Sequence, residues 1–140
     1  NTVLSKTDKN KTLEVALLKT TKLNALLHIG NFGEIINTVE NDILPVLDEY
    51  LSKPKRMAFS YEFLYDTWVN TYLALAKALV RQGNDRSFEI LTTIFDIIER
   101  DKIKDINFIC KSKLTLAFAN TIKGDFTTSE KILKDIHSAY

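Results

Sequence analysis

The chain has 140 residues and is 45% hydrophobic, which is enough apolar material for one folded domain with a buried core. Its 19 basic and 18 acidic residues leave a net charge of +1, so the composition predicts neither nucleic-acid binding nor attraction to an anionic membrane. A single cysteine, Cys110, excludes an intramolecular disulfide and favours a reducing, cytoplasmic location.

Residues 1–11 are polar and predict a flexible segment ahead of the folded domain, which we expect at residues 12–140. The triplet Asn10-Lys11-Thr12 matches the N-glycosylation sequon, but such triplets are common by chance and nothing else in the sequence indicates secretion. Because the chain opens at Asn1 and not at a methionine, we expect a domain of a longer protein.

Apolar residues at helical spacing predict a first helix at Thr12–Ile29, which Gly30 ends, and a second helix at Phe32–Leu51. Pro45 lies inside the second helix, where a proline removes a backbone hydrogen bond and clashes with the preceding turn. We expect a kink at Pro45, because the apolar spacing continues through it. The alternative is a break, after which Asp42 caps a short continuation.

The middle of the chain combines a basic loop with an aromatic helix. The loop Ser52–Arg56 has three cations around a proline and is expected to be a solvated connector; the alternative is a patch that binds phosphate or acidic groups.

A third helix is predicted from about Ser60, and its most apolar run, Leu64–Val80, contains Asp66, Asn70 and Lys77, which excludes a membrane span. One stripe of this helix is rich in aromatic residues with polar tips. We expect it to face the core; the alternative is an aromatic-lined groove for a peptide or a partner helix. The stripe is Tyr61, Tyr65, Trp68, Tyr72, Ala76 and Leu79.

The turn Gly83-Asn84-Asp85 separates this helix from a fourth, Phe88–Arg100, with Ser87 or Asp85 as its cap. After the charged connector Asp101–Lys104, Asp105 opens a fifth helix. Cys110 lies on the apolar side of that helix and is expected to be a small buried hydrophobe.

The last stretch, Leu114–Ile136, predicts a helical hairpin from local chemistry alone. Gly124 can adopt the left-handed conformation that ends a helix. Thr127 is predicted to cap the sixth helix in a capping box with Glu130, and Phe126 to pack back as a hydrophobic staple.

Three turns recur between amphipathic helices, beginning at Gly30, Gly83 and Gly124, which lie 53 and 41 residues apart. The last hairpin resembles a tetratricopeptide repeat, whose usual period is about 34 residues. The family's small, turn, aromatic and small positions are matched by Ala117, Gly124, Phe126 and Ser129.

The two earlier hairpins depart from this pattern. The first keeps Gly30 and Phe32 but has Ile35 where a small residue belongs. The middle one keeps Ala76 and needs a slip of one residue to place Ser87.

The resemblance implies an all-α fold in which about six helices form antiparallel hairpins, stacked as a short right-handed solenoid. In that family the first helices of the hairpins line a concave, peptide-binding surface. Asparagine can bind a ligand backbone, and lysine and arginine can bind a carboxylate. The residues of this chain at the positions of that surface are Thr20, Asn24, His28, Asn70, Lys77, Arg81, Lys111, Phe118 and Thr121. The alternative is that these residues are ordinary solvated positions of their helices.

The predicted function is therefore a non-catalytic interaction scaffold that binds a protein or peptide segment. The alternative is a peptide-sensing domain of a bacterial tetratricopeptide-like transcriptional regulator, although no helix-turn-helix is visible in these residues. An enzyme is the least favoured hypothesis, because His28 and His137 are isolated in sequence and no metal-binding or nucleophile motif occurs. We expect no cofactor and no metal, and exposed hairpin ends offer a route to a homodimer.

Overall fold

A computed structural model of the chain describes residues 6–52 and 59–139, and only the backbone of residues 6–11. All regular structure in these two ranges is helical, which confirms the predicted all-α class. The chain divides into two compact units, residues 1–71 and residues 72–140. Most of the predicted basic loop, at residues 53–58, lies outside the described residues.

The first unit holds two helical segments, each interrupted once, and the start of a long helix. In chain order its elements are α1 (Lys6–Thr21), α2 (Leu23–Ile29), α3 (Phe32–Thr38), a π-helical turn (Val39–Ile43), α4 (Leu44–Ser52) and the first half of α5 (Tyr61–Arg81). The second unit holds the rest of α5 and three more helices, α6 (Arg86–Arg100), α7 (Ile106–Lys123) and α8 (Phe126–Ala139). With α1–α2 and α3–α4 each taken as one, the described ranges contain six helical segments, the number predicted.

The first helical segment begins at Lys6, six residues before its predicted start, and is interrupted at Lys22. The hydroxyls of Thr20 and Thr21 donate to the carbonyls three residues earlier, at 2.6 and 2.7 Å. Such side-chain bonds compete with the helical backbone ladder. The interruption follows directly after these two threonines, and the apolar spacing did not predict it.

Helical residues continue through Pro45 from Phe32 to Ser52, so the alternative of a break is wrong, and the expected kink stays a prediction. The preceding turn widens to π geometry, and the Leu44 N–H bonds to the Val39 carbonyl, five residues earlier. Proline lacks an N–H and needs space for its ring beside the preceding turn, and a wider turn supplies that space. The carboxylate of Asp42 does not cap a helix; it lies 3.0 Å from the Lys19 ammonium.

Three helices end at glycines with the same backbone geometry. Gly30, Gly83 and Gly124 have φ of 79°, 68° and 93°, in the left-handed region that suits glycine. In each turn the glycine N–H bonds to the carbonyl three residues earlier, and the next N–H bonds to the carbonyl five residues earlier, over 2.8–3.2 Å. This pair of bonds is the Schellman motif, and it confirms the three predicted turns.

The connector between α6 and α7 repeats that motif without a glycine. Lys102 has φ of 53°. Its N–H lies 3.4 Å from the Glu99 carbonyl, and the Ile103 N–H lies 3.0 Å from the Ile98 carbonyl. A lysine thus occupies a backbone conformation that residues with a Cβ adopt at a cost.

The predicted cap of α8 is wrong by two residues. Asp125, not Thr127, accepts the Thr128 N–H at 3.1 Å and the Thr128 hydroxyl at 2.7 Å. These two hydrogen bonds hold the pKa of the Asp125 carboxyl below its ordinary value. Glu130 pairs instead with Lys134 at 2.9 Å, and Phe126 is 66% exposed, so neither the capping box nor the staple forms.

The predicted starts of α5 near Ser60 and of α7 at Asp105 are confirmed, and both residues accept a backbone N–H. Ser60 Oγ accepts the Phe63 N–H at 3.1 Å at the start of α5, and Asp105 accepts the Phe108 N–H at 3.3 Å at the start of α7. At α6 the N-cap position is held by Asp85, one of the two predicted residues, but its side chain forms no cap hydrogen bond; Asn84 Oδ1 accepts the Arg86 N–H at 3.0 Å.

Each unit buries its own set of apolar side chains. In the first unit the buried apolar residues are Leu13, Ala16, Leu23, Ile35, Val39, Ile43, Leu44, Leu47, Leu64 and Val69. In the second unit they are Leu73, Leu75, Ala76, Ala78, Leu79, Val80, Leu91, Ile94, Ile97, Phe108, Ala117 and Ala119. Cys110, predicted to be buried, is only half-buried.

Candidate functional site

Four of the residues predicted to bind a partner lie together in the second unit. Lys77 and Arg81 are one turn apart on α5, and Lys111 and Phe118 are on α7. The Arg81 guanidinium lies over the Phe118 ring, 5.0 Å from its centroid. Lys77 and Lys111 are close enough for their charges to interact. An arginine over an aromatic face is an attractive cation–π contact, so this pair joins the two helices.

These contacts give the relative direction of α5 and α7. Along α5 and its C-terminal turn, Lys77, Arg81 and Gly83 come in that order, and their neighbours on α7 also follow chain order. Gly83 is next to Ile122: a Cβ built on the glycine would lie 4.0 Å from the Ile122 methyl carbon. The last two turns of α5 therefore run beside α7 and parallel to it, although α6 separates the two helices in sequence.

Three cationic residues, Lys77, Arg81 and Lys111, belong to this part of α5 and α7. Within the described ranges 6–52 and 59–139, Lys77, Arg81 and Lys111 form no ion pair with a carboxylate. Burial, and then the neighbouring charge of Lys111, lowers the pKa of Lys77 below its ordinary value. Both causes disfavour the charged form of Lys77. A carboxylate placed beside Lys77 and Lys111 would relieve this repulsion.

Beside the cations, α7 exposes a row of large apolar side chains. Leu114, Phe118 and Ile122 are spaced four residues apart and are 48%, 40% and 46% exposed. The sequence placed them on one apolar side of the helix with Ala117, but of the four only Ala117 is buried. Large apolar side chains exposed in one contiguous group mark interaction sites. We call Lys77, Arg81, Lys111, Leu114, Phe118 and Ile122 together the α5–α7 face.

Thr121 was predicted to belong to the binding surface, but its hydroxyl is used inside the last hairpin. Thr121 Oγ1 lies 2.9 Å from Ser129 Oγ and 3.0 Å from the Ala117 carbonyl. Ser129 Oγ in turn donates to the same carbonyl at 2.7 Å. The three groups form a polar crossing between α7 and α8, so the Thr121 hydroxyl is engaged there and not on the α5–α7 face.

The remaining predicted residues lie in the first unit and form no described cluster there. Asn24 and His28 are exposed on α2, and the Thr20 hydroxyl bonds to its own helix. Asn70 is also exposed, and its amide donates to the Asp66 carbonyl at 2.8 Å. These four residues remain predictions as binding groups.

The aromatic stripe of α5 divides along its length. Tyr61 is 45% exposed and stacks on Tyr65, with ring centroids 6.2 Å apart, and Tyr65 lies 5.6 Å from Trp68. The Trp68 indole N–H donates to Asp48 on α4 at 2.8 Å. Farther along, Ala76 and Leu79 are fully buried. The stripe thus faces the core in its second half and is partly exposed in its first.

The second unit also contains a pocket that the sequence did not predict. About 80 Å³ in volume, it lies where α5 turns into α6 and where α7 ends. Lys123 lies over the Phe88 ring there, 5.1 Å from its centroid. The sequence predicted the turn at Gly83 beside this pocket, but no residue pattern in it indicated the pocket itself. The lining residues are Val80, Gly83, Asn84, Asp85, Ser87, Phe88, Ala119, Ile122 and Lys123.

Residues 6–52 and 59–139 contain no group of three or more histidine, cysteine, aspartate or glutamate side chains positioned to hold a metal ion. Among the helices of these ranges, none combines the length and the apolar character needed to cross a bilayer.

The chain was compared with known proteins at three levels. It matches no protein-family model, no curated protein and no solved structure.

Proposed function

We propose that this chain is a non-catalytic module that binds a protein or peptide segment, and that the α5–α7 face is its binding surface. The observation that carries the proposal is the cluster of Lys77, Lys111 and Arg81, which have no carboxylate partner in the described residues and lie next to exposed Phe118. A surface that combines cationic, aromatic and aliphatic side chains can bind both the charged and the apolar side chains of a partner. Arginine and aromatic residues are enriched in protein interfaces and contribute much of their binding energy.

The packing of the second unit supports a repeat architecture. Parallel α5 and α7, each followed by a helix joined through a Schellman turn, are what successive stacked hairpins would produce. We extend this to a tetratricopeptide-like solenoid as part of the proposal. In such a stack the first helices of neighbouring hairpins form one surface, and the α5–α7 face consists of first helices.

The electrostatics support an acidic partner. Lys77 is only partly exposed and its charge is disfavoured by burial and by Lys111, so the free protein holds an uncompensated cationic site. A carboxylate of the partner would form charge-assisted hydrogen bonds with these groups and would favour their charged forms. Binding should therefore weaken when the cations are reversed.

The test is affinity purification with two matched double variants. Lys77→Glu with Arg81→Glu reverses two charges on the face, and Lys104→Glu with Lys131→Glu reverses two exposed charges of the same unit outside it. We expect the first pair to remove the captured partner and the second pair to retain it. Reversal of the exposed charges of Lys104 and Lys131 should alter stability by about 0.5 kcal/mol or less. Lys77 is partly buried and Arg81 contacts Phe118, so the circular-dichroism spectrum and melting temperature of the Lys77/Arg81 variant are measured beside its capture, and we expect it to remain helical. Equal capture by wild type and the Lys77/Arg81 variant would contradict the proposal.

A further inference from the structure

The α5–α7 face consists of two stripes with different chemistry, and this bears on the shape of the partner that we have proposed. The cations Lys77 and Arg81 are four residues apart on α5, which corresponds to a rise of about 6 Å. Leu114, Phe118 and Ile122 extend over about 12 Å of α7 by the same geometry. Axes of packed helices are about 8–10 Å apart, so the stripes are separated by about the width of one helix.

A helical ligand fits two such stripes and an extended ligand does not. Side chains of a strand alternate between opposite faces, so the face turned to the protein can offer one row only. A helix offers rows at i, i+4 and at i+3, i+7 on neighbouring sides, about 100° apart or less. Its repeat of about 6 Å per four residues also equals the spacing of Lys77 and Arg81 and of the three apolar residues on α7.

Resting on the proposed function, we propose that the partner segment is an amphipathic helix of about three turns or more, with a carboxylate row directly beside an apolar row. The carboxylates pair with Lys77 and Arg81, and the apolar side chains cover Leu114, Phe118 and Ile122. Lys111 lies one turn before Leu114 on α7 and pairs with a further carboxylate at one end of the partner helix.

Charge complementarity alone would also admit a single-stranded nucleic acid, but the rest of the face opposes it. Nucleic-acid strands bind through bases stacked on open aromatic rings. The face has one aromatic ring, Phe118, and the Arg81 guanidinium lies over it. Leu114 and Ile122 provide aliphatic area, which suits apolar peptide side chains. The peptide helix is therefore the occupant that the chemistry favours.

The test uses two fluorescent helical peptides of identical composition, with glutamate and leucine in an alanine-rich background. In the adjacent peptide the glutamate row lies about 100° from the leucine row, and in the opposed peptide the two rows lie about 180° apart. We expect the adjacent peptide to bind at least about tenfold more tightly in fluorescence anisotropy. This binding should be lost in the Lys77→Glu, Arg81→Glu variant and kept in the Lys104→Glu, Lys131→Glu variant.

The other outcomes separate this inference from the proposed function. Equal binding of the two peptides through the face, or binding of neither while the wild-type protein still captures a partner through Lys77 and Arg81, would overturn the helix and leave the proposed function standing. Tighter binding of a fluorescent oligothymidylate than of the adjacent peptide would overturn the helix in favour of nucleic acid. Equal partner capture by the wild type, the Lys77→Glu, Arg81→Glu variant and the Lys104→Glu, Lys131→Glu variant would overturn the proposed function itself.

Discussion

The first and last helical hairpins have the same turn, but the residues buried on the two helices that flank it differ in size. Gly30 and Gly124 each end a helix in the left-handed region with the same two hydrogen bonds. Seven residues before and five residues after the glycine, the first hairpin buries Leu23 and Ile35, whereas the last buries Ala117 and Ser129. The same turn thus connects helices that bury large residues and helices that bury small residues at the corresponding positions.

The small pair allows a contact that the large pair cannot make. Ser129 Oγ lies 2.7 Å from the Ala117 carbonyl, so α8 approaches the backbone of α7. Large side chains at both positions would keep the two backbones apart. The first hairpin has the larger side chains of Leu23 and Ile35 at the corresponding positions, and both are buried. The comparison predicts that the stability of the first hairpin depends on the large side chains of Leu23 and Ile35. The stability of the last hairpin should depend on the small side chains of Ala117 and Ser129.

The largest effect is expected from removing volume at the first crossing. Ile35 is completely buried, so Ile35→Ala should lower the free energy of unfolding by about 3 kcal/mol, within the usual range of about 2–5 for such a truncation. Urea denaturation followed by circular dichroism measures it. Ile29→Ala is the control in the same hairpin, because Ile29 is 74% exposed and should change stability by about 0.5 kcal/mol or less. A loss at Ile35 no larger than the control's would refute the packing described.

Adding volume at the last crossing should have a somewhat smaller effect. Ser129→Leu makes this hairpin resemble the first, removes the hydrogen bond to Ala117 and forces α8 away from α7. Overpacking of this kind costs about 1–3 kcal/mol, and we expect about 2. Ser138→Leu is the matched control, since Ser138 is exposed on the same helix. If both variants melted at the wild-type temperature, closeness at the crossing would not matter to the fold.

The glycine turns and the helical class could be predicted from sequence because their causes are local. A glycine between two apolar helical patterns needs no knowledge of the rest of the fold. The interruption at Lys22 and the π turn before Pro45 were missed because the apolar spacing runs through both. Such interruptions depend on competing side-chain bonds and on space around a proline ring, which a hydrophobicity pattern does not contain.

The candidate site was predicted in part, for a similar reason. Lys77, Arg81, Lys111 and Phe118 were predicted on one surface because the resemblance implied equivalent positions for α5 and α7, and in the structure these four residues lie close together. The exposed row at Leu114 and Ile122 could not be distinguished from core, since α7 also has apolar residues on the side of Ala117. A helix that is apolar on several sides does not reveal which side faces the protein interior. The hydrogen bond between Thr121 and Ser129 was not predicted, because it depends on the close approach of α7 and α8, and Thr121 as a binding residue stays a prediction.

The connector between α6 and α7 gives the smallest effect and the cleanest test of the shared turn. Lys102 forms the same hydrogen bonds as the glycines at φ of 53°, where a Cβ costs about 1–2 kcal/mol. Lys102→Gly removes that cost but adds freedom to the unfolded chain, which costs about 0.4–1 kcal/mol. We therefore expect a net gain of about 0.5–1 kcal/mol in the free energy of unfolding, measured as a higher urea midpoint.

The reciprocal change at the last turn decides whether conformation alone is responsible. No atom lies within 4 Å of a Cβ built on Gly124, so Gly124→Lys introduces the left-handed strain without a steric clash at that atom. It should lower the free energy of unfolding by at least about as much as Lys102→Gly raises it, because both residues are in the left-handed region and φ of 93° at Gly124 is farther from the value that a lysine prefers than φ of 53° at Lys102. Changes of the same sign in the two variants would mean that the surroundings of each turn, and not the shared left-handed residue, set its contribution to stability.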